Sequence, residues 1–101
     1  MSGETGNTML TFTATLKVKA GQEDEFERVM QVAVPKVREE PGNRAYTLHR
    51  STEDPRVFMV YEEYEDAEAL ASHRAHLKEM GIDLRDLLDG PPVLTFYDKM
   101  L

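Results

Sequence analysis

The stretch that most constrains this chain is Val57–Tyr64, VFMVYEEY. Val57, Phe58, Met59, Val60 and Tyr61 are apolar whichever way each side chain points. Successive side chains of a strand point to opposite faces of the sheet. A strand apolar on both faces needs cover on both sides, and one layer of helices supplies only half of it. Before this strand, residues 44–50 read as another. Tyr46, Leu48 and Arg50 point one way, and Ala45, Thr47 and His49 the other. The two are joined through Asp54-Pro55, a turn signal.

The other elements follow from their periods. Residues 9–19 alternate strictly, with Leu10, Phe12, Ala14, Leu16 and Val18 set against Thr11, Thr13, Thr15 and Lys17. After Ala20-Gly21, three acids in a first helical turn suit the helix dipole. Phe26, Val29, Met30, Ala33 and Val37 then recur at helical spacing. Pro35 lies within that pattern and predicts a kink, or a break followed by a short piece to Glu39. Pro41-Gly42 ends the element. Asp66 suits an N-cap for a second helix carrying Leu70, Ala71, His73 and Leu77, interrupted at Met80-Gly81. Leu84, Leu87 and Leu88 predict a further helical stretch ending at Asp89-Gly90, and residues 93–100 a last strand. Residues 1–8 read as a disordered lead-in, leaving a single domain over 9–101.

The order β-α-β-β-α-β is that of an α+β, ferredoxin-like fold with a four-stranded antiparallel sheet. Two helices cover one face. The simplest cover for the other is a second copy of the same sheet, so a homodimer packed sheet to sheet is expected.

Composition narrows the function. A net charge of −7 argues against nucleic acid and against an anionic membrane surface. The absence of cysteine excludes disulfides, thiolate nucleophiles and cysteine-ligated metals. No apolar run approaches the roughly 18 residues of a membrane span, and no signal pattern opens the chain, so the cytoplasm is the default location. No phosphate loop, nucleophile elbow or calcium-binding acid run is present.

Candidate chemistry rests on few residues. His73, three residues after Leu70 on the inner edge of the second helix, suits a general acid or base, or equally a histidine packed at the helix–sheet boundary. Glu62 and Glu63 point to opposite faces, and the one held in apolar surroundings has a raised pKa suited to proton abstraction. The alternative is a salt bridge to Arg44, Arg50 or a partner subunit. Asn43 suits either an amide that orients a substrate oxygen or a turn residue tolerating a left-handed backbone. Tyr46, His49, Tyr61 and His76 are the candidate substrate-binding residues, His49 equally a dimer-face residue and His76 equally a solvent-facing one. Two histidines three apart are a weak metal signal, and no metal is expected.

The string Glu40-Pro41-Gly42-Asn43, then Tyr46, Leu48 and His49-Arg50-Ser51, resembles the antibiotic biosynthesis monooxygenase family. Tyr61-Glu62-Glu63-Tyr64 and a following helix carrying His73 extend the resemblance over about residues 9 to 98. The resemblance implies a dimeric α+β barrel with a pocket between sheet and helices. It implies oxygenation of an aromatic polyketide-like compound or oxidation of a quinol without a cofactor, His73, Glu62 and Asn43 being the catalytic candidates. Isomerisation of a small hydroxyketone by acid–base chemistry is the alternative, as is a non-catalytic small-ligand module. Haem-degrading members resemble one another in using a Trp, which this chain lacks. The family's second histidine commonly follows the first by five residues, whereas His76 follows His73 by three.

Overall fold

The structure, a computed structural model, describes residues 9–101, so the lead-in expected over 1–8 lies outside the described residues. The elements are β1 (Leu10–Lys17), α1 (Glu23–Arg38), β2 (Asn43–Arg50), β3 (Val57–Tyr64), α2 (Ala67–Glu79) and β4 (Val93–Tyr97). The strands form one antiparallel sheet in the order β2-β3-β1-β4. This is the ferredoxin-like arrangement expected from the element order. Among the described residues, no helix is long and apolar enough to cross a membrane.

The helices cover one face of the sheet. Phe12, Ala14 and Leu16 of β1 and Phe58, Val60, Glu62 and Tyr64 of β3 are buried against them. From α1, Phe26, Met30, Ala33 and Val37 enter this core. The opposite face carries Thr13, Thr15, Thr47, His49, Met59 and Tyr61, which pair across the strands. Val93 and Tyr97 of β4, opposite Thr15 and Thr11, lie on this same uncovered face, 61% and 55% exposed.

Three local expectations meet the structure. Of the kink or break expected at Pro35, the break does not occur: α1 runs on to Arg38. The missing amide costs about 3 kcal/mol, but Phe26, Met30 and Val37 are fully buried along the same stripe, and each contributes roughly 1.5–3 kcal/mol. Packing therefore outweighs the proline. Residues 84–88 make a single turn, with amides of Leu87 and Leu88 donating to the Leu84 carbonyl at 2.9 and 3.1 Å. The chain then leaves the helical path to extend the pairing of β1: Lys19 N donates to Leu87 O at 2.8 Å and Asp89 N to Lys17 O at 2.7 Å. The last strand stops at Tyr97 rather than Met100.

Two contacts fix the position of α2. Asp66 caps it as expected, its Oδ1 accepting from Ala69 N at 2.8 Å. At the other side of α2, Gly42 lies so close that a Cβ there would sit 2.4 Å from the Ala69 Cβ. The contact involves a helix and a tight loop, neither able to yield cheaply. Gly42→Ala is expected to destabilise the fold by about 1–3 kcal/mol, read as a lowered urea midpoint. Ala69→Gly in the same chain should restore part of the loss, and an unchanged midpoint in the single variant would refute the close approach.

Candidate active site

Strand alternation carries Glu62 and Tyr64 to the helix-facing side of β3, and helical spacing carries His73 to the underside of α2. The three meet. Tyr64 donates its hydroxyl proton to Glu62 Oε1 at 2.9 Å. His73 Nε2 stands 3.9 Å from the same oxygen, beyond a direct hydrogen bond. Tyr46, paired in register with Glu62 on the neighbouring strand, brings its ring to 5.6 Å from the His73 ring, and the Tyr64 ring lies at 5.1 Å. Glu62 is 6% and His73 5% exposed.

Glu62, His73 and Tyr46 border a cavity of about 220 Å³ between helices and sheet, with Tyr64 behind Glu62. Its other walls are apolar, with Phe12, Val60, Leu77 and Leu94 among them. Arg74 brings a guanidinium to the rim. Such surroundings penalise charge. Burial pushes the Glu62 carboxyl up to about 7, against the lowering effect of the Tyr64 hydrogen bond. Burial also lowers the His73 imidazole, opposed by the neighbouring Glu40 carboxylate. Both tyrosine hydroxyls are held protonated, by burial first and then by Glu62. The cluster thus presents a carboxyl poised near neutrality, an imidazole kept neutral and two phenolic donors. That combination can take a proton from a hydroxyl and give one back.

The sequence candidates divide. His73, Glu62 and Tyr46 share this cavity. Asn43 does not direct its amide there; it donates to the Ala45 carbonyl at 3.1 Å, at an irregularity in the β2–β3 register. Its backbone is not left-handed, since no described residue other than glycine has a positive φ. His49 and Tyr61 lie on the opposite face of the sheet, where His49 Nε2 is 3.1 Å from Thr47 Oγ1 and Tyr61 donates to Glu63. His76 sits outside the cavity, one-third exposed. Neither Arg44 nor Arg50 pairs with Glu62: Arg44 pairs with Glu65 at 3.2 Å and Arg50 with Glu27 at 3.6 Å.

Two residues of the site had no role assigned from the sequence. Tyr64 was within reach, because residues two apart on a strand share a face. Glu40, which reaches both histidines, was not. It lies 33 positions before His73, and no local pattern relates them.

The family model described as antibiotic biosynthesis monooxygenase matches residues 9–78. Among solved structures, the chain is 33% identical to a candidate antibiotic biosynthesis monooxygenase of Caulobacter crescentus, covering 93% of this chain and 92% of that one, with a TM-score of 0.76. It is 26% identical to a protein of Pseudomonas aeruginosa, covering 94% and 97%, TM-score 0.83. A Nitrosomonas europaea protein with the same candidate assignment superimposes with a TM-score of 0.84 over 94% and 93%; at 23% identity it supports the fold alone. The comparison with curated proteins returns no match.

Proposed function

The chain belongs to the antibiotic biosynthesis monooxygenase family, and on that basis we propose that it is a cofactor-independent monooxygenase or oxidase of a small quinol or phenol. The observation that carries this reading is Glu62, a buried carboxyl raised to about 7 within hydrogen-bonding reach of Tyr64 and facing His73 across an apolar cavity. Glu62 takes the hydroxyl proton of the substrate. The phenolate left behind is electron-rich and passes two electrons to dioxygen. In a quinol oxidation the products are quinone and hydrogen peroxide. In a monooxygenation the reduced oxygen bonds to a ring C–H carbon as a hydroperoxide, whose O–O bond breaks with loss of that C–H proton to leave a carbonyl and water, so the substrate supplies all four electrons. The protein supplies the base, the donors and a dry cavity.

The volume narrows the substrate. Ligand pockets commonly span about 300–1,000 Å³, and about 220 Å³ favours one or two fused rings over a large polyketide. The chain acts as a homodimer in this reading. Support comes from the apolar residues left uncovered on β4 and on the sheet face opposite the helices.

An oxygen electrode with a panel of one- and two-ring quinols tests the proposal. Enzyme-dependent oxygen uptake is expected with at least one, and His73→Ala should lower it by roughly 10²-fold. Absence of uptake across the panel would overturn it. Turnover of a hydroxyketone without oxygen would instead support an isomerase.

A further inference from the structure

Glu40 stands between two cavities. It follows the end of α1, held there by its amide donating to Val37 O at 3.0 Å. Its carboxylate turns under α2, where Oε1 and Oε2 lie 3.1 and 3.2 Å from His73 Nδ1. Oε2 also lies 2.7 Å from His76 Nδ1. On its outer side is an open cleft of about 700 Å³, to whose lining Glu40, Ser72 and His76 contribute. On its inner side, beyond His73, is the Glu62 cavity. A carboxylate only accepts hydrogen bonds, so each histidine presents Nδ1–H to it. His73 is thereby left with a bare Nε2 aimed at Glu62, 3.9 Å away.

We propose that Glu40 is the positioning residue of the site, fixing the tautomer of His73 and carrying protons between it and solvent in the outer cleft. The proposal rests on the acid–base role given to the Glu62 cavity. The groups facing His73 are Glu40 from the α1–β2 connection, Tyr46 from β2, Glu62 and Tyr64 from β3, and Arg74 and His76 from α2. Of these, only Glu40 both bonds to His73 and borders the open cleft.

The steps balance. A substrate O–H bond breaks and an O–H bond forms on Glu62. Once a side-chain shift closes the 3.9 Å gap to hydrogen-bond reach, that proton moves to His73 Nε2 as the His73 Nδ1–H bond breaks and an O–H bond forms on Glu40. Glu40 releases its proton to cleft water, while the His76 N–H holds the carboxylate in place. A proton returning through Glu40 to Nδ1 restores the starting tautomer as Nε2–H is handed back to the oxygen of the reacting molecule. No net proton is consumed by the relay.

Nitrogen-15 spectra of the histidine rings test the proposal without any substrate. His73 is expected as the Nδ1–H tautomer. In Glu40→Gln the amide oxygen still accepts that bond but cannot carry a proton, so exchange of the His73 N–H with water should slow by about tenfold or more. An Nε2–H tautomer in the wild type, or equal exchange in the two proteins, would overturn the proposal, whether or not any quinol is turned over. If oxygen uptake is found, Glu40→Ala should lower kcat on the order of 10²-fold with KM nearly unchanged. Formate, small enough to enter the cleft, should restore part of the rate. A loss that formate does not relieve would refute the relay, while a panel without oxygen uptake would refute only the reaction.

Discussion

Replacing Glu62 by glutamine is expected to make the chain more stable and much less active. The wild-type carboxyl titrates near 7 in the fold against an ordinary value of 4.5. Below about pH 4.5 it is protonated folded or unfolded and contributes no difference. As pH rises from there to about 7, the unfolded chain ionises first, so the folded state binds more protons and stability falls with pH. Above about 7 the full cost of a buried charge is present, about 3 kcal/mol for that separation at 1.36 kcal/mol per tenfold step. Glutamine removes this cost while its oxygen keeps the Tyr64 bond. Urea denaturation should show the variant more stable by up to about 3 kcal/mol at pH 8 and nearly equal at pH 4. His73, lowered by burial, acts in the opposite sense below pH 6.5 and does so in both proteins. Turnover should fall by roughly 10²–10⁴-fold, because an amide takes no proton. Parallel stability curves across pH would show that Glu62 does not sit in an apolar pocket.

In the proposed homodimer, Thr13→Arg should leave the monomer folded and weaken the association of the two sheets. Thr13 lies in the middle of the face opposite the helices, paired in register with Tyr61 on one side and Thr95 on the other. A lone chain leaves room for an arginine there. In a two-fold interface the same change buries two guanidinium groups against apolar and hydroxyl side chains, and Glu63, the carboxylate on this face, already accepts from Tyr61. Uncompensated charge of that kind costs several kcal/mol, so the dimer should weaken by about 10²-fold or more. Sedimentation velocity over a concentration series reads the effect. A wild-type chain that is monomeric at micromolar concentration, or a variant that dimerises equally well, would refute the homodimer.

The fold was legible because its signals are local. Period two in β1, the helical stripe of α1, the Asp66 cap and the two-faced apolar run of β3 each operate within a few residues. Where expectation and structure part, a distant contact decided. Burial of Val37 carried α1 through Pro35, and pairing with β1 drew residues 87–89 out of a helix. The site was half legible. Alternation alone separates Glu62 from Glu63 by face, and the spacing from Leu70 turns His73 inward. Alternation also separates Tyr61 and His49 from the residues of the helix side, as the structure does.

Local pattern in the chain is thus enough for the order of elements, the face each side chain takes and the presence of a carboxyl, an imidazole and tyrosines able to share one. Packing in three dimensions was needed to bring Glu40 under α2 to both histidines. Which face a residue takes follows from backbone period within a few positions. The meeting of Glu40 with His73 depends instead on how a loop and a helix 33 residues apart pack on the same sheet.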